Sequence, residues 1–170
     1  MAEHLDIYFA AGCFWGAQKF FKLIDGVIAT EVGFANGNTE NPTYREVYTD
    51  TTGYAEAVHV TYDPSVVSTE ELTRLYFKAI DPLSLNRQGE DEGTRYRTGI
   101  YFTCGCQEAE AGKVMAEVEA ELGQKTVVEL MPLKNFTRAE DYHQDYLDKT
   151  PGGYCHLSPG IFEIARQYKN

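Results

Sequence analysis

The sequence predicts one α+β domain: a two-layer sandwich in which helices pack on a mixed sheet, with a ferredoxin-like core and long irregular loops. Three observations point there. The length, 170 residues, suits a single domain and is enough to hide roughly 70% of the unfolded surface in one core. Hydrophobic residues make up 43% and charged residues 24%, which excludes disordered, collagen-like and low-complexity chains. Segments of period two alternate with segments of helical period, without repeats or an interdomain linker. Within that domain, residues 1–149 form the body and residues 150–170 a Pro/Gly-rich segment packed on it.

Leu5, Ile7 and Phe9 alternate with Asp6, Tyr8 and Ala10, the mark of a strand. From Phe14 the period changes: Phe14, Ala17, Phe21 and Ile24 make one helical stripe, closed by Asp25-Gly26. Val27 to Ala35 is a β-branched second strand, so the chain opens as a right-handed βαβ crossover. Cys13 stands where strand hands over to helix. Residues 36–54, with turn signals at Asn36-Gly37 and Asn41-Pro42, predict a long excursion of the kind that carries function. Glu56 to Tyr62 is a third strand ended by Asp63-Pro64, and Ser68-x-x-Glu71 is a capping box opening a helix to Ile80. A polar stretch, Asn86 to Arg97, leads to a fourth strand, Thr98 to Thr103. A helix from about Cys106 to Leu122 ends at Gly123, Val127 to Leu130 is a fifth strand, and Ala139 to Leu147 forms a short helix. The segment Thr150 to Gly160 carries Cys155 among Pro151, Gly152, Gly153, Pro159 and Gly160, a composition suited to a mobile loop. The order of strands in the sheet is not set by this pattern.

Fifteen Lys and Arg against 26 Asp and Glu give a net charge of −11, which argues against nucleic acid as a partner. Ile7 to Ala17 is an uncharged run of signal-peptide core length. Glu3 and Asp6 precede it and Lys19 is the first basic residue, so the expectation is no signal peptide, no membrane span and a cytoplasmic chain. Cys13, Cys104, Cys106 and Cys155 are too sparse for a disulfide scaffold and lack C-x-x-C spacing, so thiols are expected. His4, His59, His143 and His156 are scattered, and no metal is expected.

Cys13, at a helix start, has the address of a stabilised thiolate; cysteine is also among the most buried residue types, and simple packing would explain it too. Glu56 shares a strand face with Val58, Val60 and Tyr62. Buried there, it would keep its proton and serve as a general acid; as first residue of the strand it could equally turn to water. By pattern alone Asp91 reads as a solvated loop charge, while Tyr44 and Tyr96 read as half-buried packing residues. Phe14 and Trp15 are core aromatics by the same standard. Cys155 is either a resolving thiol or an incidental loop cysteine. Cys104, on the face of Ile100 and Phe102, and Cys106 read as packing residues.

At Gly12-Cys13-Phe14-Trp15-Gly16 the sequence resembles the A-class peptide methionine sulfoxide reductases. The runs Asn41 to Val47, Gly53 to Val58, Gln88 to Arg97 and Ala139 to Leu147 resemble further blocks of that family, in family order, across nearly the whole chain. The resemblance implies that Cys13 attacks the sulfur of the S epimer of methionine sulfoxide, in proteins and peptides and, by extension, in the free amino acid. It implies that Glu56 donates a proton, that Tyr44, Tyr96 and Asp91 line the polar pocket for the oxide, and that Phe14 and Trp15 wall the S-methyl group. Through Gly153-Tyr154-Cys155-His156 it implies that Cys155 resolves the sulfenic acid into a Cys13–Cys155 disulfide, which a thioredoxin-type reductant reopens. By the same resemblance residues 1–149 are the catalytic part and 150–170 the recycling segment. No flavin or nicotinamide motif is present, no cofactor is expected, and a monomer is. Cys104 and Cys106 depart from the family pattern, as bystanders or an auxiliary thiol store. A thiol peroxidase or thiol-based redox sensor is the alternative, since a reactive cysteine with a distant partner also serves those ends. An acidic peptide-binding module and a cysteine protease fit the same residues less well.

Overall fold

Two strand–helix–strand units interlock in one sheet. The computed structural model describes residues 4–39, 42–89, 91–150 and 152–168; Glu3, Asn41 and Pro151, named above, and Glu90, within the run Gln88 to Arg97, lie outside them. The first unit is β1 (Leu5–Ala11), α1 (Phe14–Lys22) and β2 (Val27–Ala35). A short helix α2 (Tyr44–Tyr48) follows, and then β3 (Ala55–Tyr62), α3 (Thr69–Ala79), a small hairpin of β4 (Arg87–Gln88) and β5 (Asp91–Glu92), and β6 (Thr98–Phe102). The chain continues through α4 (Gly105–Leu122), β7 (Glu129–Pro132), β8 (Phe136–Arg138), α5 (Tyr146–Lys149) and α6 (Pro159–Gln167).

The main sheet has the order β7-β6-β1-β3-β2-β8. β3 lies antiparallel between β1 and β2, and β1 lies antiparallel between β3 and β6. The middle four strands are thus the ferredoxin-like arrangement of two split βαβ units, as expected, with β7 added parallel to β6 and β8 antiparallel to β2. The predicted crossover from β1 through α1 to β2 is present, but β3 occupies the slot between its strands.

Strand alternation divides the core. Ile7, Phe9, Val32, Phe34, Val58, Val60 and Ile100 face the helices, where Phe20, Tyr76, Val114 and Phe162 meet them. Phe9 is held between the rings of Phe21 and Tyr76, with centroids 4.7 and 4.9 Å away. Burying each such side chain contributes roughly 1.5–3 kcal/mol. The opposite face carries the small residues Ala10, Ala35, Ala55 and Ala57 with Tyr101, covered by Leu133 and Phe136.

The Ser68–Glu71 capping box forms, and a second one, Thr43–Glu46, starts α2 inside the predicted excursion. Other expectations are corrected. The fifth strand begins at Glu129 rather than Val127, because the Val127 N–H is taken by Pro82 O and lies off the sheet. The predicted helix from Ala139 to Leu147 is a single 3-10 turn, Asp141–His143, and then α5, separated by Asp145 in the left-handed region at φ 55°. Its cause is Gln144, whose side-chain oxygen accepts from Val32 N and whose amide donates to Val32 O and Ala139 O. That side chain extends the pairing of β2 past the end of β8 and pulls the chain out of helical register. α6, not expected from the sequence, starts with Ser158 as cap and Pro159 in its first turn.

The cysteines divide. Cys13 and Cys155 are free thiols, whereas Cys104 and Cys106 form a disulfide. Neither of that pair packs in the core: β6 ends at Phe102, and the turn into α4 carries Cys104 to a half-exposed cap position and Cys106 to the surface.

Replacing Gln144 by Ala leaves the buried Val32 N–H without its acceptor and removes one donor each from Val32 O, which keeps the Ala139 N–H, and Ala139 O, which keeps a long contact from Arg138. The expected outcome is a loss of about 2–4 kcal/mol in urea unfolding, beyond a single exposed hydrogen bond. A change near zero would show that the backbone groups find other partners.

Candidate active site

Every residue of the site gathers at the end of the sheet where β1 stops and β3 starts. The register pairs Phe9 with Val58, so the residues just past β1 lie beside the first residues of β3. Gly12 makes the turn at φ +81°, and a Cβ there would lie 2.8 Å from Gln88 Cβ and 3.1 Å from His156 Nε2. Cys13 is the cap residue of α1, 6% exposed. Burial pushes its thiol well above the ordinary range, and the charges of Glu56, Asp91 and Cys155 add to this. The Trp15 N–H opposes them. The stabilised thiolate expected at a helix start is therefore absent from the resting site: desolvation outweighs the helix terminus.

Glu56 points inward on the helix-facing side of β3, 1% exposed, so it does not turn to water. Its Oε1 accepts the Phe14 N–H at 3.1 Å, which pairs one of the open donors of the first turn of α1. Burial raises its pKa to about 8; the Phe14 N–H and Arg95 pull the other way, and Asp91 and Asp50 add to the rise. The carboxyl is a neutral acid at pH 7. Its Oε2 is buried and makes no hydrogen bond among the described residues, so the proton it carries is available to a bound group.

Tyr44 opens α2, within the loop between β2 and β3, and Tyr96 ends a 3-10 turn in the loop before β6. Burial raises both phenols, and both feel Glu56 and Cys13, so their hydroxyls stay protonated beside these groups. Asp50 ties the loops together, accepting Arg95 N at 3.1 Å and an Arg95 guanidinium N–H at 2.6 Å. The guanidinium lies 4.3 Å over the Tyr96 ring and 4.1 Å over Tyr48. Asp91 is half-buried rather than a free loop charge: the Tyr154 hydroxyl donates to Oδ1 at 2.8 Å, and His156 Nδ1 lies 3.8 Å from Oδ2.

An aromatic wall closes the other side. Phe14, 1% exposed, packs against Phe34, His143 and Tyr44 with centroids 5.6, 5.3 and 6.3 Å apart. The half-buried Trp15 stacks on Tyr146 at 3.9 Å and donates its indole N–H to His143 Nδ1 at 3.0 Å. Burial lowers the His143 pKa, which keeps the ring neutral and able to accept.

Cys155 is not on a swinging arm in this state. Its sulfur lies over Gly16, where a Cβ would come within 2.8 Å, and His156 on the next position anchors to Ala11 O at 2.9 Å. All eight predicted residues, Cys13, Phe14, Trp15, Tyr44, Glu56, Asp91, Tyr96 and Cys155, are thus brought together. The sequence reasoning left out His143, Arg95, Tyr154 and His156. His143 and Arg95 lie inside the runs that carry the family resemblance, but their partners, Trp15 and Asp50, are distant in sequence.

A buried thiol, a protonated carboxyl bonded to the same helix start, and a second free cysteine over that helix define a thiol-dependent enzyme site. The chain belongs to the peptide methionine sulfoxide reductase family, whose profile matches residues 5–169, and it is an oxidoreductase acting on methionine sulfoxide. The peptide methionine sulfoxide reductase MsrA of Clostridium acetobutylicum is 53% identical over 155 residues, 89% of this chain and 93% of that protein. The structure of Mxr1 from Saccharomyces cerevisiae in reduced form matches at a TM-score of 0.86 and 36% identity, over 92% of each chain. Mxr1 in complex with Trx2 matches at a TM-score of 0.61 and 25% identity, over 85% of each chain.

Folded, Glu56 keeps its proton to about pH 8; unfolded, it releases it near the ordinary 4.5. Unfolding therefore releases a proton between these limits, and stability falls as pH rises across them, by up to roughly 1.4 kcal/mol per pH unit. Gln at position 56 keeps the acceptor for Phe14 N–H. The expected outcome for Glu56→Gln, in urea unfolding series from about pH 5 to 8, is loss of that slope and higher stability at the alkaline end.

Proposed function

We propose that this chain reduces the S epimer of methionine sulfoxide in proteins and peptides, with Cys13 as nucleophile, Glu56 as acid and Cys155 as resolving thiol. The observation that carries this is the buried, protonated Glu56 bonded to the first N–H of the helix that Cys13 caps. A sulfoxide oxygen is a poor leaving group until it is protonated, and Glu56 supplies that proton from within the site. Cys13 sulfur attacks the sulfoxide sulfur, the oxygen passes to Cys13 as sulfenic acid, and the Cys13 proton restores Glu56. Methionine leaves. Tyr44 and Tyr96 donate to the oxide, Asp91 completes the polar side, and Phe14 and Trp15 present apolar surface to the S-methyl group.

Burial, the largest cause of the raised Cys13 pKa, keeps Cys13 a thiol beside the protonated Glu56, so the site holds both protons that the reaction moves. Cys155 then attacks the sulfenic acid, releasing water and leaving a Cys13–Cys155 disulfide. Two electrons from a thioredoxin-type dithiol reopen it; the Mxr1 complex with Trx2 supports that choice of partner. The seat of Cys155 over Gly16 supports a short path to Cys13. The same proposal takes residues 1–149 as the catalytic part and 150–170 as the recycling segment of one domain, acting as a cytoplasmic monomer. Among the described residues no helix is long and apolar enough to cross a membrane. Peroxide reduction requires neither an aromatic wall for a methyl group nor a buried acid, so the peroxidase reading leaves Phe14, Trp15 and Glu56 unexplained.

The test supplies resolved S- and R-methionine sulfoxide peptides with dithiothreitol. Methionine is expected from the S form alone, with none from Cys13→Ser and a rate about 10²–10⁴ lower in Glu56→Gln. Cys155→Ser should keep its first turnover and lose recycling by reduced thioredoxin. Turnover of both epimers, or of neither, would overturn the assignment.

A further inference from the structure

The Cys104–Cys106 disulfide has no part in the chemistry above. A disulfide stabilises a fold chiefly by closing a loop of the unfolded chain, and the effect shrinks as the loop shortens. These cysteines are two residues apart, with Cα atoms separated by 5.5 Å, so the bond closes almost no loop. A structural staple is a poor account of it. Its placement favours exchange instead. Cys106 is exposed and Cys104 half-exposed. A Cβ on the intervening Gly105 would meet no heavy atom within 4 Å, so the backbone between the two sulfurs is open to an approaching molecule. Cys104 also lines a groove of about 430 Å³ with Phe102, Thr103, Pro132 and Leu133. Both cysteines sit at the N-terminus of the 18-residue α4, where the helix dipole favours a departing thiolate.

The pair is also remote from the sulfoxide site. Thr103 Oγ1 donates to Asp6 O at 2.7 Å, which places it beside the first residues of β1, whereas Cys13 follows the last. The strand between them spans about 20 Å. A disulfide needs Cα atoms within roughly 7 Å, so the two cysteine pairs of one chain cannot exchange directly.

We propose that Cys104–Cys106 is a second redox-active couple, a thiol–disulfide exchange site that trades two electrons with protein dithiols of the thioredoxin class, separately from Cys13 and Cys155. A thiolate of the dithiol attacks the exposed Cys106 sulfur, forming a mixed disulfide and expelling Cys104 as a thiolate that takes up a proton. The second thiol of the partner attacks the partner's own sulfur, releasing Cys106 as thiol and leaving the partner as a disulfide. Two electrons and two protons pass to the chain. The reverse reaction returns them to a partner disulfide.

The test uses the full chain carrying Cys13→Ser and Cys155→Ser, oxidised with oxidised glutathione and then given reduced thioredoxin under native conditions. Maleimide uptake, read by mass spectrometry, is expected to rise from none to two per chain. Peptide mapping of the wild-type chain gives the same readout if the double variant fails to fold, since the tryptic peptide Thr98 to Lys113 contains both cysteines and no other. In the variant with Cys104→Ser and Cys106→Ser, sulfoxide reduction with dithiothreitol should stay within twofold of wild type, which separates this site from the first. Two labelled thiols before any reductant is added would overturn the proposal, as would a disulfide that resists thioredoxin until the chain is denatured.

Discussion

One hydrogen bond, from the Phe14 N–H to the carboxyl of Glu56, is the constraint on which the site depends. It joins the first helical residue after Cys13 to the second residue of β3, and it pairs a helix-terminal donor that burial would otherwise leave open. A charged carboxylate in that position would carry a large desolvation cost, so the group is held neutral instead. The same burial raises the Cys13 thiol. The charge of Glu56 adds to that rise, so ionising the carboxyl makes the thiol harder to ionise. The resting site is therefore uncharged at its centre, suited to a neutral sulfoxide rather than to an ion.

The rest of the site keeps that centre dry and reachable. Two glycines make the approaches: Gly12 lets Gln88 and His156 close over the turn, and Gly16 lets the Cys155 sulfur lie on the first turn of α1. His143 orients Trp15 through the indole N–H and packs on Phe14 and Tyr44, so one imidazole sets the shape of the aromatic wall. It is itself held by its neighbour Gln144, through bonds to Val32 and Ala139. Arg95 lies over the Tyr96 ring and bonds to Tyr48 O and Asp50, which ties the turn that carries Tyr96 to the end of α2. The side chains of the site thus come from the start of α1, the start of β3 and the loops around them, joined by buried polar contacts.

Much of the fold was legible because it is local. Alternation marked β1 and β3, the capping box at Ser68 and Glu71 marked α3, and the strand-face pattern already placed Glu56 with Val58, Val60 and Tyr62. Where the structure departs from pattern, a distant contact is responsible. Gln144 breaks a plausible helix because β2 offers it backbone partners, and β7 starts late because Pro82 takes the Val127 N–H. Cys104 and Cys106 had the alternation of packing residues, yet the strand stops at Phe102 and the turn carries them outward.

By itself the sequence determined most of the element types and the family to which the motif runs belong, since these follow from periodicity and from residues close together in the chain. Tertiary structure alone decided the proton state of the site. Whether Cys13 is a thiol or a thiolate, and whether Glu56 keeps its proton, depends on how much water β3, α1 and the loops around Tyr44 and Tyr96 exclude. Sequence pattern cannot supply that, because desolvation is a property of all the atoms packed around a group and most of them come from elsewhere in the chain.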